Sequence, residues 1–507
     1  MTVRRSADPE DQVRAQVTIV GGGIAGAWLG YRLVQQGIDT VLIAAAEAHT
    51  RPVSQLAASV LYQPVLADAA AAARTGALDD ATTTRPPGYQ SLVEEFLADE
   101  FAELQRLVPY MPSNDVLIPR HEVPQPRLGA GGEVLSTVLG RFAELGGRTL
   151  RARVTDLVID GDTCRGLRFV SGGVPGSVLS GAVVIASGGV SGLFGDEGTG
   201  NPGLLLGTCA RAGAVLDNME IFKRFALGDL THRRPLYPFD LAGARFCRAG
   251  KPAEELAELV RTTPPRQADY DAWRLYWVKN LTTPHTAELA DGEVRLGPIR
   301  GFTGGGLPFR SEDLGLRGLY ATGEAGHSVV ANCIAGLPWA SYLALGGRLS
   351  AQLAEAGPAD VAVTLPEAPI DRTGPVDPAL RTEVAAKLRS CHDGRFTIEA
   401  AEQVVTWCRA ERRHRSESSS GEDIDLLILA ETCVQAALAR TDSRGFFFRP
   451  DRPEPDRTLD HRWTRAKYDA DADEVEVHFV DRVDGPAMRV EQDVRPAATV
   501  GSEGAQV

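Results

Sequence analysis

Val17-Thr18-Ile19-Val20-Gly21-Gly22-Gly23-Ile24-Ala25-Gly26 decides the fold of this chain. The first four residues read as a strand, and Ala27 to Gln36 reads as an amphipathic helix. Gly37 closes that helix before a second strand, Thr40 to Ile43. Strand, glycine turn and helix in this order form a dinucleotide-binding unit. Gly21 permits the tight turn, Gly23 lets backbone approach a pyrophosphate, and Gly26 lets helix pack close on strand. The N–H groups of the first helical turn, Ile24 and Ala25 among them, then face the phosphates. One usual part is missing. The acid that ends the second strand and holds the adenosine ribose falls on Ala44, inside the apolar run Ala44-Ala45-Ala46, with Glu47 three residues on. The ribose contact must come from backbone or from elsewhere.

Outward from this turn, 507 residues are too many for one core and predict two or three domains. A net charge of −14 argues against nucleic acid or an anionic membrane surface as partner. No apolar run approaches the roughly 18 residues that a membrane span needs. The first residues carry two arginines with no apolar stretch behind them, so no export signal is expected. The seven cysteines (164, 209, 247, 333, 391, 408, 433) are odd in number and lack a C-x-x-C pair. That fits reduced thiols in a cytoplasmic protein, with no metal site and no disulfide framework. Cys391 and Cys408 are expected to pack in helices as small hydrophobes.

Further along, 61–85 reads as an alanine-rich helix, 88–107 as a second helix, and Glu133–Leu145 as a third. Strands are expected at Thr149–Val158, Gly166–Phe169 and Ala182–Ala186, the last a continuous apolar run suited to a buried parallel strand. It ends in a second glycine turn, Ser187-Gly188-Gly189. A region of different character, rich in Arg, Trp, Tyr and Pro, spans about 220–305. After it Gly318 to Glu324 forms a third strand ending in glycine, with a helix from Pro338 to Ala356. Beyond a proline-rich linker the chain reads as helical to about 445, broken by the polar stretch Ser416–Asp423. Three glycine-ended strands belong to one nucleotide domain, and 220–305 is inserted between its pieces. An insertion of this kind places a cleft at the interface.

These motifs resemble the flavoproteins of fumarate reductase, the succinate dehydrogenase flavoprotein and L-aspartate oxidase, over nearly the whole chain. Ala186-Ser187-Gly188-Gly189 resembles the family's A-T-G-G turn, and Ala210–Ala214 with Asp217–Glu220 resembles the helix and strand that follow it. Gly243-Ala244-Arg245-Phe246 resembles the capping domain's G-x-R-F, Thr303–Gly306 its T-x-G-G, and Gly318–Gly326 (GLYATGEAG) matches very closely. Ala436–Arg449 resembles the end of the helical domain. The resemblance implies an α/β fold: a Rossmann-type FAD-binding domain (13–219 and 306–365), an inserted α+β capping domain (220–305), and a C-terminal helical domain (366–480) before a disordered tail (481–507). It implies FAD as cofactor. The family's covalent anchor histidine falls on Pro52, with His49 nearby, so the FAD is expected to be non-covalent. Its contacts are expected along Gly21 to Gly26, at Ala44, Ser54, Val154, Ala186, Ser187, Gly188, Gly323 and Glu324. Leu337, Pro338 and Trp339 are expected by the flavin, where Pro338 has no N–H to offer. Trp339 also reads as simple core packing.

The departures from the family concern substrate. Its substrate histidines fall on Phe225 and Gly301, its carboxylate-clamping arginine falls on Cys333, and the acid expected after Gly203 is Leu204. A carboxylate without its bidentate arginine loses a strong contact. Phe225, Gly301, Thr303 and Cys333 are therefore the expected substrate positions for something other than a simple C4 dicarboxylate. Nothing basic beside Cys333 would make it a thiolate. Proton-handling candidates are Arg266 in a loose match to the family's P-R-D, His285 within the insert, and His327 after the third turn. Each also reads as an ordinary structural residue. Trp273, Tyr276 and Trp277 read either as a cleft wall or as the insert's own core.

The resulting expectation is an FAD-dependent oxidoreductase moving a hydride to or from a small molecule, with a homo-oligomer left open. A flavin-dependent N- or C-oxygenase and a non-catalytic FAD-binding descendant are the alternatives.

Overall fold

The computed structural model describes residues 13–45, 99–107, 130–195, 201, 203–232, 234–236, 241, 243–262, 273, 276–277, 279–280, 283–289, 292–303, 305–309, 311–326, 337–356, 374–392, 396–415, 420–443, 447–459 and 462–481. The chain starts as strand β1 (Val13–Val20), helix α1 (Ile24–Gln35) and strand β2 (Thr40–Ala44), with Val17 opposite Thr40 in a parallel pair. Helices α2 (Phe101–Leu107) and α3 (Ala130–Glu144) precede β3 (Arg148–Arg151), β4 (Arg153–Asp160), β5 (Thr163–Ser171) and β6 (Val174–Ile185). The sheet runs β3-β2-β1-β6-β5-β4. Its centre is parallel, β6 lying against β1 from Val178 to Ile185, while β4, β5 and β6 form an antiparallel meander. Val17 and Ile19 of β1 face one apolar layer and Val20 the other, so a strand covered on both faces carries an unbroken apolar run.

Two strand expectations change here. The stretch 149–158 is two strands broken at Ala152, whose N–H donates to the Ala44 carbonyl at 3.0 Å. The strand expected at Ala182–Ala186 is twelve residues long. Its start, Val174 to Ser177, pairs only within the meander and is less buried, so it lacks the apolar run that betrays the rest.

After α4 (Leu204–Arg211) and β7 (Val215–Asp217) the chain enters a second sheet. It is built from β8 (Phe222–Asp229), β9 (Arg234–Pro235), β10 (Arg245–Arg248), β11 (Lys251–Pro252), β12 (His285–Leu289) and β13 (Gly292–Thr303), with helix α5 (Glu254–Thr262). The order is β11-β10-β12-β13-β8-β9, antiparallel throughout. This cap has its own apolar core, in which Trp273, Tyr276 and Trp277 pack with Leu227, Leu256 and Val294. The aromatics therefore fill the insert's interior, the second of the two readings above.

Returning, β14 (Leu319–Ala321) pairs parallel with β6, and α6 (Leu337–Ala356) packs along α1, Gly346 facing Trp28. Helices α7 (Pro378–His392), α8 (Ile398–Arg415) and α9 (Gly421–Ala439) follow. Buried Cys391 and Cys408 lie in the first two of these. Helix α9 is buried on nearly every side, as expected of a helix apolar all round. Its buried acids are each partnered: Asp425 by Arg211 at 2.6 Å, and Glu431 by Arg409 and Arg412 at 2.8 and 2.5 Å. The C-terminal domain is not wholly helical. Strands β15 (Arg462–Asp469) and β16 (Glu474–Asp481) form a hairpin that pairs with β7 of the first domain. Alternation in EVEVHFVD favours this strand, a period-two signal that the helical reading passed over. The helix expected over 61–85 and the tail from 482 lie outside the described residues.

His285 sits in the cap core, 2% exposed. Its Nδ1 lies 2.8 Å from the Thr283 carbonyl, which can only accept, so Nδ1 carries the proton. Nε2 then accepts from the Tyr276 hydroxyl at 2.7 Å. Burial holds the imidazole below its usual pKa and pushes the Tyr276 hydroxyl up to about 12. The unfolded chain takes up a proton near pH ~6.5 and the folded cap resists it, so this contribution is complete above that pH and is lost as pH falls below it. Urea unfolding followed by Trp273 and Trp277 fluorescence should show stability falling from pH 7 to pH 5, by at most about 1.4 kcal/mol per pH unit from this group. His285→Gln should flatten the dependence. An unchanged slope in that variant would remove His285 as its source.

Candidate functional site

The three glycine turns lie at the carboxyl ends of β1, β6 and β14, three adjacent parallel strands. Open α/β sheets bind ligands outside these ends. At the first turn, Gly21 donates its N–H to the Ile43 carbonyl at 2.9 Å and holds φ +128°. A Cβ on Gly21 would stand 2.1 Å from the Ala186 oxygen, and one on Gly26 would stand 2.0 Å from the Gly21 oxygen. Neither gap admits any side chain. Helix α1 then begins on Gly23, with no capping side chain and no acid in its first turn. Its positive end is left to whatever anion lies before it. Gly22 faces Ala44, where a built Cβ would be 3.1 Å from the alanine's own. The position where an acid would meet a ribose is thus beside the turn and is apolar. Val154 lies two residues beyond Ala152, which bonds the same Ala44 carbonyl, and is half-buried against the core.

At the second turn, Ala186 donates to Val20 at 2.8 Å, and Asn201 organises the loop. Its side-chain N–H donates to the Ser187 carbonyl at 2.7 Å, its side-chain oxygen accepts from Gly203 at 3.0 Å, and its backbone carbonyl accepts from Gly192 at 2.8 Å. Asn201 was not among the sequence candidates. It lies fourteen residues from Ser187, and no local pattern marks it. At the third turn Thr322 donates to Ile185 at 2.9 Å. Gly323 holds φ +67°, with a built Cβ only 2.7 Å from that of Ala25 in α1. Glu324 follows at 8% exposure. First and third turns are therefore in contact. The Ser187 and Thr322 hydroxyls at this junction are buried with no hydrogen-bond partner, and a buried polar atom left so costs free energy. A cradle of backbone, an uncapped helix end and two unsatisfied hydroxyls fits a dinucleotide.

Of the expected substrate positions, Phe225, Gly301 and Thr303 fall on two neighbouring cap strands. Phe225 in β8 pairs with Ile299 of β13, and Thr303 pairs with Phe222. Gly301 falls at a register shift between Arg300 and Phe302. Leu337 and Pro338 open α6, followed by Trp339, a place where proline's missing N–H costs no helical bond. Ser54, Arg266, His327 and Cys333 lie outside the described residues. His285 is corrected. Buried in the cap with both ring nitrogens engaged, it does not face a cleft and has no free nitrogen for a substrate proton. Among the described residues no cluster of His, Cys, Asp or Glu could hold a metal ion, and no helix is long and apolar enough to cross a membrane.

Comparison with known proteins places this geometry. Residues 419–497 match the family model described as the fumarate reductase flavoprotein C-terminal domain. That segment begins at α9 and includes the β15–β16 hairpin. No curated protein matches the chain in sequence. Among solved structures, a point variant of the E. coli quinol fumarate reductase FrdA superposes with TM-score 0.66 at 19% identity, covering 95% of this chain and 100% of that one. Sdh1 of Mycobacterium smegmatis gives 0.70 at 17% identity over 94% and 95%. Adenylylsulfate reductase of Archaeoglobus fulgidus gives 0.63 at 14% over 93% and 96%. The chain thus has the FAD-binding flavoprotein fold, with inserted cap and C-terminal domain, and resembles the fumarate reductase and succinate dehydrogenase flavoproteins in fold along nearly its whole length and in sequence over residues 419–497.

Proposed function

We propose that this chain is an FAD-dependent oxidoreductase whose substrate, held between the cap and the Gly323-Glu324 turn, is not a simple C4 dicarboxylate. The convergence of three glycine turns on one uncapped helix end carries the reading. Gly21 to Gly26 and the first turn of α1 would hold the pyrophosphate through backbone N–H groups. Glu324 would accept from the ribityl chain, and the Ser187 and Thr322 hydroxyls would gain the partners they lack. Ala44 offers the adenosine ribose only backbone. Bound FAD would supply the hydride acceptor or donor. The chain's own part is to orient a substrate against that cofactor and exclude water.

Phe225, Gly301 and Cys333 replace ionic groups in the resemblance. A dicarboxylate buried against them would lose its charged partners, at a cost of several kcal/mol. Thr303 keeps a hydroxyl on β13. With His285 committed to the cap core, Arg266 and His327 are the remaining proton carriers. That same commitment favours a second reading, an FAD-binding descendant without turnover, over what the sequence alone suggested.

The purified protein should be yellow, with one FAD per chain released intact into the supernatant on acid precipitation. Flavin that stays with the precipitated polypeptide would show a covalent link. Gly26→Val should lower flavin occupancy at least about tenfold, because its side chain meets the Gly21 carbonyl. Full retention of flavin in that variant would place the cofactor elsewhere. Under anaerobic conditions succinate and L-aspartate should leave the flavin oxidised. Rapid bleaching by either would restore dicarboxylate chemistry.

A further inference from the structure

The chain crosses between the first domain and the cap twice, outward through 217–222 and back through 303–307. The crossings are tied together. Asp217 and Gly306 exchange N–H···O bonds at 2.8 and 3.0 Å, and a Cβ on Gly305 would meet the Asn218 oxygen at 2.3 Å. Beyond this point β8 and β13 run paired into the cap, starting at Phe222 and Thr303.

The outward crossing is gripped from the C-terminal domain. Asn218 holds φ +50°, a left-handed conformation that asparagine tolerates better than most residues, and the Ile221 N–H closes the turn on its carbonyl at 3.0 Å. The Asn218 N–H donates to the Thr464 carbonyl at 2.8 Å. Its side-chain oxygen accepts from the Thr464 N–H at 3.2 Å and from Arg440 at 3.3 Å. Glu220 takes the Arg440 Nε–H on one carboxylate oxygen and the Thr464 hydroxyl, at 2.7 Å, on the other. The Arg440 and Glu220 side chains are both wholly buried. Arg449 holds the Arg440 carbonyl at 2.7 Å, and Arg465 binds Asp217 through two bonds of 2.8 and 2.9 Å.

We propose that Arg440 is a positioning residue that latches the cap's hinge: through Glu220 and Asn218 it fixes the turn 218–221, so the C-terminal domain sets how the cap lies over the Gly323-Glu324 turn. Asp442, also wholly buried, stands 3.5 Å from the same guanidinium, so Arg440 joins two buried carboxylates, and such a cluster resists separation because its members would be left uncompensated in a dry interior. The turn is therefore held, and cap movement begins at Phe222. The inference rests on the cap-over-flavin reading for its meaning in catalysis, but the latch is measurable without it.

The test is amide hydrogen exchange on the full chain as purified, with iodide quenching of flavin fluorescence beside it. Arg440→Met should speed exchange at Ile221 and Gly306 at least about tenfold and raise quenching, while Ala287 and Val294 in the cap and Leu427 to Ala430 in α9 keep their rates. Arg440→Lys, which keeps the charge beside Glu220, should recover most of the protection. Uniform acceleration through all three domains, or none at Ile221 and Gly306, would overturn the latch. If Arg440→Met does not accumulate as folded protein, Thr464→Val is measured instead. It removes the hydroxyl's bonds to Glu220 at 2.7 Å and to Asn218 at 3.5 Å while keeping the Arg440–Glu220 pair, and about two- to threefold faster exchange is expected at the same two amides. Unchanged rates there would overturn the proposal equally. A flavin-free preparation would refute the FAD reading alone, since the exchange rates still report on the latch.

Discussion

Backbone meets backbone where α1 leaves β1, and the rest of the nucleotide-binding half is arranged around that approach. Gly26 lies against the Gly21 carbonyl and Gly21 against the Ala186 carbonyl, each at a separation that no Cβ could occupy. These two contacts fix the distance between helix and sheet and the spacing of β1 and β6 at their carboxyl ends. Gly323 adds the third contact, seated against Ala25. With three chain segments pressed together by missing side chains, the helix end is aimed at one place and hydrogen-bonding groups converge there.

The other domains attach to this centre by different physics. The C-terminal domain is fastened by buried and half-buried ion pairs that reach from α9, Arg440 just beyond it and the hairpin into α4, β4 and the 217–220 segment: Arg211 with Asp425, Arg153 with Glu422, Arg440 with Glu220, and Arg465 with Asp217. Burial alone drives the Asp217 and Asp425 carboxyls toward protonation, and the facing arginines oppose it. Replacing such a pair by apolar packing of equal volume is often neutral or stabilising, whereas removing one partner is costly because it strands the other charge. The cap joins this centre through β8 and β13, with Phe222 packed on Phe194 and His392 at their base, and carries its own core of Trp273, Tyr276, Trp277 and His285.

How much of this was legible in the sequence follows from the range of each interaction. The first turn was readable because strand, glycines and helix are contiguous, and Ala44 could be placed by counting along the same unit. The helical reading to about 445 takes in α7, α8 and α9, whose patterns are local. What local pattern could not supply was contact between distant segments. Asn201 serves a turn fourteen residues away, and the β15–β16 hairpin finds its third strand in β7, about 250 residues earlier. His285 shows the same limit from the other side. Its residue type suggested proton transfer, but Tyr276 and Thr283 take both nitrogens, and only the folded cap brings Tyr276 to it.

This division also bears on how such a protein changes its chemistry. The cofactor cradle is made of backbone and of absent side chains, so nearly any substitution at Gly21, Gly26 or Gly323 meets a carbonyl or a helix and disturbs the fold itself. The positions expected to meet substrate are of another kind. Phe225 and Gly301 lie on cap strands whose ladder is held by backbone bonds and whose stability comes from a separate apolar core. Exchanging side chains there leaves the ladder standing. A chain under these constraints can keep its glycine turns fixed while the groups carried on its cap strands change.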